Sequence, residues 1–215
     1  MNKLKSIYKQ LEKIYDKYFG KIYRKRLKCN DFTIISNNCF GGVFYKKNAM
    51  PYLTPTCGLF FMAEEYIKFI YNLDKYLSLP LIEINIEESK YKNYLKMLQY
   101  DGILGKIDDL EICFLHYKSF SEAKEKWDRR KQRINKDKII YKFNDQNLCD
   151  YEILKKFDEF EGKNKICFTS KKYKDLNTIQ LRKYKKYNFV LNDSKKSDYR
   201  RDFNIYKYIN DCFKQ

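Results

Sequence analysis

Asp31-Phe32-Thr33-Ile34-Ile35-Ser36-Asn37-Asn38-Cys39-Phe40-Gly41-Gly42 runs a short β-branched and aromatic stretch straight into polar residues and glycines. Phe32 to Ser36 reads as a buried strand introduced by Asp31. The next segment, 37 to 58, holds Gly41, Gly42, Pro51, Pro55 and Gly58. So many breakers predict a long ordered loop, and ordered loops inside compact domains tend to carry function.

Downstream the pattern alternates. Residues 62–77 read as a helix that stops before Pro80, and 81–86 as a strand. Residues 88–99 read as a helix, Asp101-Gly102 and Gly105 as turns, and 110–115 as a strongly apolar strand. Residues 120–135 read as a helix whose start is marked by the capping-box spacing of Ser119 and Glu122. Strands at 139–143, 166–169 and 187–191 then alternate with helices at 150–160, 175–186 and 199–213. Without a run of adjacent hairpins, such alternation predicts crossover units. The expected fold is α/β: a three-layer α/β/α, Rossmann-like arrangement with a mostly parallel or mixed central sheet.

Upstream, Leu4, Ile7, Leu11, Ile14, Tyr15, Tyr18 and Ile22 recur at helical spacing among Lys and Arg. Residues 1–27 are therefore expected to form a basic amphipathic N-terminal helix, with Gly20 interrupting it, ahead of a single α/β domain at 28–215. Packing on the domain is the favoured role, and lying on a membrane surface is the other. No apolar run approaches the roughly 20 residues that span a bilayer. No uninterrupted apolar segment follows the basic residues 1–5, so no secretory signal is expected there. The expected location is the cytoplasm, with peripheral membrane contact as the variant.

The 215 residues carry 45 Lys and Arg against 28 Asp and Glu, a formal charge of +17. The lysines are spread along the chain, which favours phosphorylated metabolites, coenzyme groups or an acidic membrane face over nucleic acid. Seven cysteines show no CxxC pair and no cluster with the single histidine. Neither a disulfide framework nor a metal site is expected.

Ligands of open α/β sheets sit beyond the carboxyl ends of the strands. Two polar groups fall at such ends: Ser36-Asn37-Asn38-Cys39 and His116-Tyr117. If their strands are neighbours, Cys39 and His116 open onto one crevice. A thiolate beside an imidazole base suits nucleophilic catalysis, with Asn37 and Asn38 as amide donors that orient the imidazole or stabilise an oxyanion. Gly41 and Gly42 allow the backbone to approach a ligand, although the lysine and hydroxyl of a P-loop are missing. The alternative is that Cys39 only lines the pocket while His116 acts on a substrate hydroxyl.

Ala123, Trp127, Arg130 and Ile134 share one helix face. A guanidinium buried there needs an acceptor, either a carboxylate or a ligand phosphate. Arg129 and Arg133 read as a solvated face. Thr54 and Thr56 suit ligand binding or capping, with capping of the following helix favoured for Thr56.

The segment 31–42 resembles the opening signature of a bacterial family of unknown function often labelled exopolysaccharide biosynthesis protein. Tyr52-Leu53-Thr54-Pro55-Thr56, Phe114-Leu115-His116-Tyr117 and Glu122-Ala123-Lys124-Glu125-Lys126-Trp127-Asp128-Arg129-Arg130 look like its later motifs, in the same order. Phe40 stands where tryptophan is expected and Thr54 where serine is expected. The resemblance covers about residues 20–195. It implies a three-layer α/β/α domain encoded among genes for capsule or surface-polysaccharide assembly, and it implies no particular reaction.

The expected function is a transferase, with O-acyl transfer to a glycan or glycan precursor as the most economical chemistry. Cys39 is the expected nucleophile or pocket wall, and His116 the base. Ser36, Asn37, Asn38, Gly41, Gly42, Thr54, Thr56, Tyr117, Trp127 and Arg130 are expected to bind substrate. Acetyl coenzyme A is the expected donor, and no tightly held cofactor is expected. Transfer of a sugar or phosphoryl group from an activated precursor is the enzymatic alternative, although no Asp-x-Asp motif lies near the site. A basic binding protein for anionic glycan intermediates, a membrane surface or nucleic acid is the non-enzymatic one.

Overall fold

The structure is a computed structural model that describes residues 18–214. Helical residues 18–24 (α1) precede β1 (Thr33–Ser36) and α2 (Phe40–Lys47). Then come β2 (Leu59–Phe60), α3 (Ala63–Tyr71), α4 (Leu73–Ser78), β3 (Ile82–Ile84), α5 (Lys92–Met97), β4 (Ile103–Ile107) and β5 (Leu110–Phe114). The chain continues through α6 (Phe120–Lys131), β6 (Ile139–Asn144), α7 (Tyr151–Glu159), β7 (Lys165–Thr169) and β8 (Ile179–Gln180). It closes with α8 (Lys196–Tyr199) and α9 (Ile205–Cys212).

The α/β class stands, but the strands form two sheets. One is parallel throughout, in the order β1-β6-β7-β8. The other is antiparallel, in the order β2-β5-β4-β3, and is inserted between β1 and β6. Its β4–β5 hairpin is what the reading of uninterrupted crossovers missed. Gly105, read as a turn, lies inside β4 opposite Ile112. A hairpin strand with a central glycine and lysine carries too weak an apolar signal to stand out.

Alternation along β6 explains how the parallel sheet is covered on both faces. Ile139 and Phe143 enter a core with Tyr66, Phe69, Trp127 and Phe157, which includes Ile112 and Phe114 of the antiparallel sheet. Ile140 faces the other way, with Phe32, Ile34, Phe40, Phe44, Phe168 and Ile209. Burying each of the large apolar side chains among them contributes up to about 1.5–3 kcal/mol relative to exposure. A third cluster, Phe60, Met62, Leu95, Leu104 and Cys113, backs the antiparallel sheet.

Several local expectations change. Phe40–Lys47, expected to be loop, is helix α2. Its glycines serve packing: a Cβ on Gly41 would meet the Ile34 carbonyl oxygen and the Ser36 hydroxyl, each at 3.2 Å. The 62–77 helix breaks at Asn72, which joins α3 to α4. The 175–186 helix is instead β8 and a 3-10 turn at Arg182–Tyr184. Residues 187–191 are irregular rather than strand, and 199–213 is divided between α8 and α9.

Ser119 caps α6 through Glu122 N–H at 3.2 Å. The Glu122 carboxylate accepts from Lys118 N–H at 2.8 Å, one residue before the position a capping box requires. Gly20 does not interrupt α1. It lies within the helix, where a Cβ would meet the Ala49 nitrogen at 2.9 Å, so α1 packs closely beyond the end of α2. The expected helix ends early, since residues 25–27 turn out of it, and its part in residues 1–17 lies outside the described residues.

Candidate functional site

The ends of β1 and β5 lie in different sheets, yet the groups that follow them converge. A cleft of about 400 Å³ is lined by Cys39, Gly42, Val43 and Lys46 from the start of α2 and its exposed face. Tyr52, Cys57 and Gly58 line it from the 50–58 loop, His116 and Tyr117 from the end of β5, and Lys126 and Arg130 from α6. Three cations and the only histidine share this lining with no carboxylate.

Arg130 defines the electrostatics. Its side of α6 is buried beside Ala123 and Trp127, as the helical spacing predicts, and only 7% of the residue is exposed. Nη1 donates to the Tyr117 hydroxyl at 2.8 Å, and the guanidinium carbon lies 4.7 Å from the Tyr52 ring centroid. The Tyr117 hydroxyl in turn donates to the Cys57 carbonyl. Among the described residues no carboxylate pairs with Arg130. Of the two acceptors the sequence left open, the structural carboxylate is therefore missing. Lys126 lies 5.5 Å from the Tyr117 ring centroid and is paired with Glu122.

Gly58 makes this floor possible. Its φ of +72° belongs to the left-handed region, and a Cβ there would meet Tyr117 Cε2 at 3.2 Å and His116 Cβ at 3.4 Å. Its carbonyl accepts from Leu115 N–H at 2.8 Å and His116 N–H at 3.3 Å, which ties the loop to the end of β5.

The thiols lining the cleft are held neutral. Cys39 Sγ donates to the Leu59 carbonyl at 3.7 Å, and burial pushes its pKa up to about 11. Burial pushes Cys57 up to about 12, opposed by the charge of Arg130. Among the described residues no hydrogen bond joins Cys39 to His116, whose side chain is exposed beside the cleft. The phenol of Tyr117 is likewise raised to about 12 by burial, again opposed by Arg130.

Most of the other expected binding residues are already engaged. Ser36 donates to the Asn38 carbonyl at 2.7 Å and accepts from Gly41 N–H at 3.2 Å, which fixes the turn into α2. Thr54 and Thr56 bond each other at 2.9 Å, and Thr56 accepts from Ser36 N–H at 3.1 Å, so it pins the loop to β1 and caps no helix. The Asn37 amide donates to Asn144 Oδ1, and that of Asn38 to Asp193 Oδ1, both at 2.8 Å. Trp127 is core, 6.0 Å from Phe69, with its indole N–H unpartnered. Gly41 packs on β1, while Gly42 reaches the cleft.

Asn37 and Asn38 surround a charge pair that the sequence reading missed. Lys142 and Asp193 are fully buried and paired, and Lys142 lies 5.2 Å from the Phe40 ring centroid and 5.8 Å from that of Phe168. Burial pulls the Lys142 ammonium down, and Asp193 pulls it back up. A lysine inside a strand covered on both faces was the available signal. Lys46, Tyr52, Cys57, Gly58 and Lys126 were also unassigned, because nothing in their spacing announces a shared wall.

Among the described residues no group of three His, Cys, Asp or Glu is placed to hold a metal ion. No helix there is long and apolar enough to cross a membrane. A family model described as a domain of unknown function, DUF1919, matches residues 10–212. The chain belongs to this family. A relative from Haemophilus influenzae (strain ATCC 51907 / DSM 11121 / KW20 / Rd), described as an uncharacterized protein, is 30% identical over 173 residues. The match covers 80% of this chain and 78% of that protein. All eleven cleft residues of this DUF1919 chain fall inside the span of the family model.

Proposed function

We propose that the cleft binds a phosphate-bearing substrate, and that this DUF1919 protein is a transferase of surface-polysaccharide assembly. The reaction is O-acyl transfer from a coenzyme A thioester to a glycan hydroxyl. The observation that carries the anion site is Arg130, buried beside the cleft on Tyr117 and Tyr52 with no carboxylate partner among the described residues. A buried guanidinium without a counter-charge is costly, and a ligand phosphate relieves that cost. The polysaccharide setting rests on the four motifs that resemble the exopolysaccharide family.

In this reading Arg130, Lys126 and Lys46 hold phosphate oxygens. His116 accepts the proton of the acceptor hydroxyl as its oxygen attacks the thioester carbonyl, and the coenzyme leaves as its thiol. Cys39 forms part of the wall. A neutral thiol at pH 7 with no hydrogen bond to His116 supports direct transfer over a thioester on the protein. Sugar transfer from a diphosphate donor is the second reading, favoured by the same cationic lining.

Calorimetry with acetyl coenzyme A, a nucleoside diphosphate sugar and inorganic pyrophosphate, on wild type and Arg130→Met, tests the anion site. Affinity that survives Arg130→Met unchanged removes it. Release of free coenzyme A with glycan acceptors then tests the reaction. His116→Ala is expected to slow release by about 10²–10⁴-fold. Binding without coenzyme release, but with nucleoside diphosphate release, selects sugar transfer; neither release leaves a binding protein.

A further inference from the structure

Residues 182–201 carry eight Lys and Arg against Asp193 and Asp198, and both acids are buried. Asp193 is paired with Lys142, and Asp198 with Lys183. Arg182 pairs with Asp202 outside the stretch. Lys185, Lys186, Lys195, Arg200 and Arg201 make no ion pair among the described residues. The outward charge of the segment is therefore almost entirely positive.

Amid these cations the chain turns three large side chains outward. Tyr187, Phe189 and Leu191 are 49%, 44% and 46% exposed. They are three of the twelve exposed large hydrophobics among the described residues, gathered within five positions. Fraying does not explain it, because the backbone between them is anchored. Val190 is buried and donates its N–H to Asp145 Oδ1 at 2.7 Å, and the Leu191 carbonyl accepts from Gln146 Nε2 at 2.9 Å. A fixed loop that holds apolar side chains in water has surface available for a partner.

We propose that this segment docks the protein on a bilayer rich in anionic phospholipid. Tyr187, Phe189 and Leu191 enter the boundary between headgroups and acyl chains, and Lys185, Lys186 and Lys195 lie against the lipid phosphates. Charge alone would serve a soluble polyanion equally. The apolar trio selects the bilayer, because a polyanion offers no apolar phase to receive it. The location also suits the cleft. Lys195, Lys196 and Ser197 line a second basic cavity, of about 490 Å³, that shares Val43 and Lys46 with the cleft.

The test is cosedimentation of the full-length protein with vesicles of phosphatidylglycerol and phosphatidylethanolamine, without substrate, so that it does not depend on the reaction in the cleft. Phosphatidylcholine vesicles and immobilised heparin are the comparisons. Wild type is expected to bind the anionic vesicles, and Lys185→Glu and Lys186→Glu each to weaken this by roughly fivefold or more. Phe189→Ser with Leu191→Ser is expected to weaken vesicle binding by about tenfold while leaving heparin retention unchanged. Wild type that ignores the anionic vesicles overturns the proposal. So does vesicle affinity unchanged in the serine pair, which makes the surface one for soluble polyanions or assigns the contact to another part of the chain. Phe189→Trp supplies a readout in a protein that retains its fold: its emission moves to the blue and is quenched by brominated lipid if the side chain enters the bilayer. Emission unmoved by vesicles overturns the proposal as well.

Discussion

Arg130 donates to the Tyr117 hydroxyl at 2.8 Å, and that hydroxyl donates onward to the Cys57 carbonyl. Two residues from β5–α6 are thereby joined to the loop that follows α2. The phenol is satisfied in both directions, whereas the guanidinium uses one of several donors and has no counter-charge among the described residues. Burial, charge and unused donors coincide at one side chain.

Arg130→Met follows directly. Replacing a buried charge by an apolar side chain of similar volume is often neutral or stabilising by about 1–4 kcal/mol, provided no partner is orphaned. Tyr117 keeps the Cys57 carbonyl, and among the described residues no carboxylate is left behind. The melting temperature is expected to hold or rise while phosphate-ligand affinity falls at least about tenfold, as for the loss of a charged hydrogen bond. Differential scanning calorimetry and ligand titration on one preparation read both; a large fall in melting temperature makes Arg130 structural.

Gly58→Ala tests the floor of the cleft. An L side chain at φ +72° costs about 1–2 kcal/mol, and its Cβ would press on Tyr117 Cε2 at 3.2 Å. Tyr117 must move, and Arg130 with it. Urea melts are expected to show that loss, and ligand affinity to fall in the residual folded protein. Unchanged affinity would separate the turn from the site.

The sequence made the α/β class and the two strand-end groups legible because both rest on local apolar runs, at 32–36 and 110–115. It did not reveal the second sheet, whose β4 has Gly105 and Lys106 at its centre and owes its stability to pairing with β5. Nor did it reveal α2, because glycine argues against a helix until the close contact of Gly41 with Ile34 is known. Arg130 was legible from the spacing of its helix face. Tyr52 and Cys57 were not, since their role depends on how a loop folds back over another element. Asn37 and Asn38 read as free donors only while Lys142 and Asp193 were unplaced.

The buried thiols predict an alkaline weakness. Cys39 is raised to about 11 and Cys57 to about 12 from an ordinary 9.0, so folding favours their protonated forms. That contribution is fully present below pH 9 and is lost as pH rises through the folded values. Urea midpoints are expected to fall between pH 9 and 11, less steeply in Cys39→Ala with Cys57→Ala. At pH 8 only roughly one Cys39 in a thousand is thiolate, so mass spectrometry is expected to find Cys39 alkylated slowly in the folded protein. Rapid modification of Cys39 at pH 7 would restore it as a nucleophile.

The pair beneath α2 gives the sharpest stability test. Lys142 Nζ and Asp193 are both fully buried, and Asn38 bridges them, donating to Asp193 at 2.8 Å and accepting from Lys142 at 3.2 Å. The same Asn38 Oδ1 accepts Phe40 N–H at 3.1 Å, so the pair also sets the start of the helix that carries Cys39, Gly42 and Lys46 into the cleft. Removing one charge strands the other in a site closed by Phe40 and Phe168. Lys142→Met or Asp193→Ala alone is expected to cost about 3–5 kcal/mol in urea unfolding. Lys142→Met with Asp193→Asn removes both charges and is expected to recover much of that loss, a coupling that a double-mutant cycle isolates. Ligand affinity is expected to recover with it, since Asn38 again holds Phe40 N–H at the start of α2. Additive losses would mean that the two charges act independently and that the network does not position the cleft.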